Sequence, residues 1–261
     1  MDILVYIASG ALVGLLVGVT GVGGGSLMTP LLILMGIDYR VAIGTDLLYA
    51  AFTKAGGSIS HARLGNVNWR LACLLGAGSI PASFLTAYLL QTVFDGERDY
   101  SSILTTSLGI MLILTALVLL FRRRLRDDAQ HAPGPIGTFI QAHATPITVI
   151  SGVFLGVFVT LSSVGAGAFC AALLMVLYPK LKALKVVGTD IAHAVPLTLI
   201  AGMSHWLILG NVDFKLLAGL LIGSLPAVHL GSQLSTRIPN SILQPLLATI
   251  LLGLGIKFSL F

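Results

Sequence analysis

Gly21-Val22-Gly23-Gly24-Gly25-Ser26 interrupts an apolar sequence that otherwise runs from Ile3 to Ile37. Upstream lies Ile3 to Thr20, long enough to cross a bilayer as helix. Downstream, Leu27 to Ile37 would span only about 16 Å, roughly half of a ~30 Å hydrocarbon core. A run this rich in glycine does not hold a regular helix well. Non-helical backbone at membrane depth is tolerated only where it is buried in protein or lines a cavity. The stretch therefore predicts a helix broken inside a bilayer. The free N–H groups of the half-helix after the break favour an anion, although the same glycines also serve close helix packing.

The rest of the chain agrees with a bilayer. Of 261 residues, 56% are hydrophobic and 10% charged, against roughly half and a quarter in soluble domains; mean hydropathy is +0.98. So few charges argue against a soluble enzyme or a nucleic-acid binder, and the apolar content excludes disorder. The alternating pattern of a membrane β-barrel is absent. The net charge of +5 resides in short loops, where it orients a protein in the membrane. Cys73 and Cys170 lie in apolar runs and read as small buried hydrophobes. Met1-Asp2-Ile3-Leu4 reads as the start of a membrane helix.

The break recurs. A shift of 144 lays Gly21 and Gly23 on Gly165 and Gly167, Gly44-Thr45-Asp46 on Gly188-Thr189-Asp190, and Ser60-His61 on Ser204-His205. A shift of 145 then lays Leu64-Gly65-Asn66-Val67 on Leu209-Gly210-Asn211-Val212, and Gly78-Ser79, Pro81 and Ala82 on Gly223-Ser224, Pro226 and Ala227. The expected fold is an all-α polytopic membrane protein of two homologous halves with broken helices: residues 1–121, a polar loop and linker over 122–144, and residues 145–261. Matching Gly-interrupted short segments point to a transporter site at the repeat interface. The basic cluster Arg122, Arg123, Arg124 and Arg126 belongs in the cytoplasm. Placing Lys180, Lys182 and Lys185 there too favours inverted repeats with both termini outside. A parallel arrangement would put those lysines outside.

Candidate substrate ligands are Gly21, Gly23, Gly24, Gly25 and Ser26 with their counterparts Ser163, Gly165 and Gly167, then Lys54 and His193. Lys54 lies deep in the segment Val41 to Ala62, and its counterpart is Thr198. A charge at that depth is expensive and marks function by default. It either faces an anionic substrate, pairs with Asp46 or Asp190, or snorkels. Asp46 and Asp190, with Thr45 and Thr189, read either as proton or Na⁺ coupling groups or as helix caps. His61 and His205 read as proton relays or as partners of helix C-termini. His193 is deep enough to line a cavity. No metal-spaced cluster, Gly-x-Ser-x-Gly or His-Glu-x-x-His motif occurs, so neither catalysis nor a cofactor is expected.

Gly21-Val22-Gly23-Gly24-Gly25, Pro30, Gly44-Thr45, Gly65-Asn66-Val67 and Pro81, with the same skeleton in the second half, resemble the sulfite exporter TauE/SafE family over nearly the whole chain. The resemblance implies a bacterial or plant-type integral membrane transporter of organic or inorganic anions, and a multi-pass protein of a bacterial cytoplasmic membrane is expected. Its expected partners are a small anion such as sulfite, sulfoacetate or another sulfonate, the lipid bilayer and an H⁺ or Na⁺ coupling ion, with no nucleic acid.

Overall fold

The computed structural model describes residues 2–20, 25–94, 100–130, 135–234 and 240–260. Among them are eleven helices and no strand: α1 (Ile3–Thr20), α2 (Gly25–Leu34), α3 (Tyr39–Arg63), α4 (Trp69–Val93), α5 (Ser101–Gln130), α6 (Pro135–Ala142), α7 (Ala144–Ser162), α8 (Ala168–Leu177), α9 (Ala183–Leu207), α10 (Phe214–Leu234) and α11 (Asn240–Leu260). Six of them, α1, α4, α5, α7, α9 and α10, are long and apolar enough to cross a membrane. α2 and α8 are the short helices that follow the two glycine elements. α3 is as long as α4 but carries Arg40, Asp46, Lys54 and Arg63.

The exterior is apolar in stripes. On α4, Phe84, Leu85, Tyr88 and Leu89 are exposed, while Ser79, Ser83 and Ala87 on the opposite face are buried. A helix with polar groups inside and large apolar side chains outside is built for lipid.

One expectation needs correcting. Residues 122–130 are not loop, because α5 continues to Gln130. Thirty residues of helix reach about 45 Å, beyond a ~30 Å core. The Arg- and Leu-rich sequence favours helix, and the next proline is Pro133.

Small residues fix the packing. A Cβ on Gly10 would stand 2.3 Å from Leu220 O, and one on Gly14 2.7 Å from Ser224 Cα, so α1 and α10 run side by side in the same direction. A Cβ on Gly152 would stand 2.4 Å from Leu75 O and one on Gly156 2.2 Å from Ser79 O, which sets α7 on α4 in the same way. Leu75 and Ser79 are the repeat counterparts of Leu220 and Ser224. Each pair joins one helix from each half of the chain.

At the centre α3 packs along α9. Gly44, early in α3, lies against His205 and Asn211, at and beyond the end of α9. Gly188, early in α9, lies against His61 and Asn66, at and beyond the end of α3. The two helices are therefore antiparallel. Their starts also hold the opposite half: Asp213 N–H donates to Thr45 Oγ1 at 3.1 Å, and Asn68 N–H donates to Thr189 Oγ1 at 2.9 Å.

Candidate functional site

The polar centre begins where α7 stops. Ser163 is in the left-handed region (φ 58°), the one non-glycine residue with positive φ among the described residues, and its N–H donates to Val159 O. Gly165 follows at φ 120°, a conformation a side chain would strain; a Cβ there would also lie 2.7 Å from Met111 Cε. The chain re-enters helix at Ala168, within the protein interior. The break expected from the sequence is present in this half. Gly21, Gly23 and Gly24 lie outside the described residues. Gly25 is the first residue of α2, and Ser26 is buried in its first turn.

Lys54 of α3 reaches this break. Its Nζ donates to Ala166 O at 2.6 Å, a contact between residues 112 positions apart. The ammonium is held on that carbonyl rather than at a helix end, which argues against simple snorkelling. Asp190 and Asp46 are within its electrostatic reach, with Asp190 the stronger, and so is Cys170 of α8. Lys54 thus joins α3 to the α7–α8 break, with a carboxylate from each half nearby.

Asp46 is fully buried. Its Oδ2 accepts from Thr29 Oγ1 of α2 at 2.5 Å, while Oδ1 has no hydrogen-bond partner. Ser163 lies beside Asp46, and its buried hydroxyl also closes no hydrogen bond. Neither aspartate is a cap, since Asp38 and Lys182 occupy the N-cap positions of α3 and α9. Asp190 is buried beside Cys170. Cys170 is the repeat counterpart of Ser26, so each carboxylate serves the short helix of its own half.

His193 is 1% exposed; its Nε2 is 2.8 Å from Ser79 Oγ of α4, and Nδ1 has no partner. Lys54 is within its electrostatic reach. Its repeat counterpart, Tyr49, lies beside Ser224, the counterpart of Ser79. The centre thus gathers Lys54, Asp46, Asp190, Ser163 and His193 of the sequence candidates, and adds Thr29, Ser79 and Cys170.

Four further candidates make contacts outside this centre. Thr45 and Thr189 hold backbone N–H groups of the opposite half, and Thr189 Oγ1 also donates to Lys185 O at 2.6 Å. His61 is seven residues beyond Lys54, about 10 Å further along α3, against the start of α9. His205 is fully buried, with Nε2 2.9 Å from Thr160 O of α7. Among the described residues no group of three or more His, Cys, Asp or Glu could hold a metal.

Six helices able to span a membrane and a polar buried centre fit an integral, multi-pass membrane protein, and comparison with known proteins makes it a membrane transporter. The chain belongs to the sulfite exporter TauE/SafE family, whose profile matches residues 6–258. It is 39% identical to the probable membrane transporter protein YjnA of Bacillus subtilis, over 96% of this chain and 97% of that one. It is 29% identical to the probable membrane transporter protein YdhB of the same organism, over 89% and 90%. A shorter match, 31% identical over 41% of this chain and 23% of the other, is to sulfite exporter TauE/SafE family protein 2 of Arabidopsis thaliana. No solved structure gives a significant match.

Proposed function

We propose that the protein is a secondary transporter of small anions, with sulfur oxyanions or small organosulfonates as the substrate class and ion coupling through the buried carboxylates. The observation that carries this reading is Lys54 Nζ bonded to Ala166 O in the unwound segment ahead of α8. Asp190 and Asp46 lie within electrostatic reach of that ammonium, and an arriving anion would compete with them for it. An α-helix N-terminus beside it adds partial positive charge from N–H groups with no intrahelical acceptor. An anion with three oxygens could take hydrogen bonds from both. The names of the family and of the Arabidopsis relative suggest the sulfur class. The swapped contacts of α3 and α9 support an inverted relation of the halves, the arrangement used for alternating access. We place the protein in a bacterial cytoplasmic membrane on the strength of its Bacillus relatives.

The test is a thermal-shift screen of the purified protein against sulfite, sulfate, thiosulfate and methanesulfonate, followed by uptake into proteoliposomes. Stabilisation by a sulfur oxyanion, then accumulation driven by a proton or Na⁺ gradient, is the expected result. Flux that never exceeds equilibrium would mean an uncoupled anion channel. A response to none of these anions would remove the substrate class.

A further inference from the structure

We infer that the anion and a proton bind together, with Asp46 as the group that takes up the proton. The inference rests on the anion reading above and adds the partner ion, its sign and its seat.

Charge is the first argument. The ionisable groups facing the centre are Lys54, Asp46 and Tyr49 on α3, Asp190 and His193 on α9, and Cys170 on α8. The neutral hydroxyls are Thr29 on α2, Ser79 on α4, Ser224 on α10 and Ser163 after α7. Asp190 is the stronger of the two electrostatic partners of Lys54. Counted as one cation and one anion, those two cancel in charge, and Asp46 is then a surplus carboxylate. An anion arriving at Lys54 would meet that surplus charge in surroundings of low polarity, where like charges repel strongly. One proton added to the centre removes the conflict.

With Asp190 set against Lys54, burial selects Asp46 as the acceptor. Asp46 is fully buried, its Oδ2 holds a single hydroxyl and its Oδ1 has none. A buried ionised carboxylate with one hydrogen bond is poorly compensated. The Ser163 hydroxyl, also buried and unbonded, lies beside it. A proton from bulk water forms an O–H bond at Oδ1 and removes the buried charge. The adjacent Ser163 hydroxyl can donate to the ionised carboxylate and accept from the protonated one, so it partners Asp46 in both states. Ser163 belongs to the same break that Lys54 contacts at Ala166, so the proton seat and the anion seat share one piece of backbone.

The experiment uses purified full-length protein in detergent, weakly buffered with an indicator dye, and methanesulfonate, an anion that does not itself titrate near neutrality. Uptake of about one proton per anion bound is expected, with affinity tightening about tenfold per pH unit lowered above the acceptor's titration range. Asp46→Asn should abolish the uptake and flatten the pH dependence. Binding without proton uptake, a requirement for Na⁺ instead, or undiminished uptake in Asp46→Asn would overturn the inference while leaving the anion reading intact. Absence of any response to methanesulfonate, sulfate or thiosulfate would overturn both. If Asp46→Asn does not fold, the pH slope of the unaltered protein decides, and a flat slope overturns the inference.

Discussion

The Lys54 ammonium donates to the Ala166 carbonyl at 2.6 Å, so the cation of the first half is seated on the broken helix of the second. The second half has Thr198 at the position equivalent to Lys54. The two half-sites are therefore chemically unequal although their frames repeat.

Lys54→Met should weaken anion binding at least tenfold, about 1.4 kcal/mol, in a protein that still inserts and unfolds cooperatively. Lys54→Arg should bind with intermediate affinity, because the charge stays but the planar fork does not reproduce a point donor. Calorimetric titration of both variants checks this. Unchanged affinity in Lys54→Met would leave Lys54 a packing residue.

Thr45→Val and Thr189→Val should each lower stability by about 1 kcal/mol, the worth of one backbone hydrogen bond, since each removes the acceptor of Asp213 N–H or Asn68 N–H. Anion affinity and gradient-driven uptake should survive. Loss of uptake at full stability would return these threonines to ion coupling.

Gly223→Ala and Gly78→Ala should each destabilise the protein by about 1–3 kcal/mol, the usual range for overpacking. The added methyl would stand 2.0 Å from Ile7 O in one case and 2.1 Å from Val149 O in the other. Gly253→Ala, with nothing within 4 Å, is the control and should be neutral within about 0.5 kcal/mol. Thermal unfolding in detergent measures all three.

Single cysteines at Ala129 and Ala183, in a background lacking Cys73 and Cys170, should label from the same, cytoplasmic side. Labelling from opposite sides would refute the inverted arrangement of the halves.

Much of the frame was legible because its signals sit in single residue types. Gly165 and Gly167 marked the break in the second half, and a lysine deep in an apolar segment marked the centre that reaches it. The identical triplets Gly44-Thr45-Asp46 and Gly188-Thr189-Asp190 exposed the duplication. Thr29, Ser79 and Cys170 were not legible as members of the centre. A hydroxyl in an apolar helix most often bonds its own preceding turn, and a thiol passes for a small hydrophobe; only the packing brings Thr29 to Asp46. The correspondence of Gly10 and Gly14 with Gly152 and Gly156 was hidden because it follows a shift of 142, not 144. Extra residues between Gly156 and the second break obscure it.

The pairing of α1 with α10 and of α7 with α4 bears on ancestry. Each half of the chain lacks, within itself, the neighbour against which its first helix is shaped. A half-length forerunner carrying the same glycines would have found that neighbour only in another copy of itself. Duplication would then have tethered a pair already interlocked, and the two segments, once joined, would have been free to diverge. A lysine on one side and a threonine on the other is a divergence that two identical subunits could not have made.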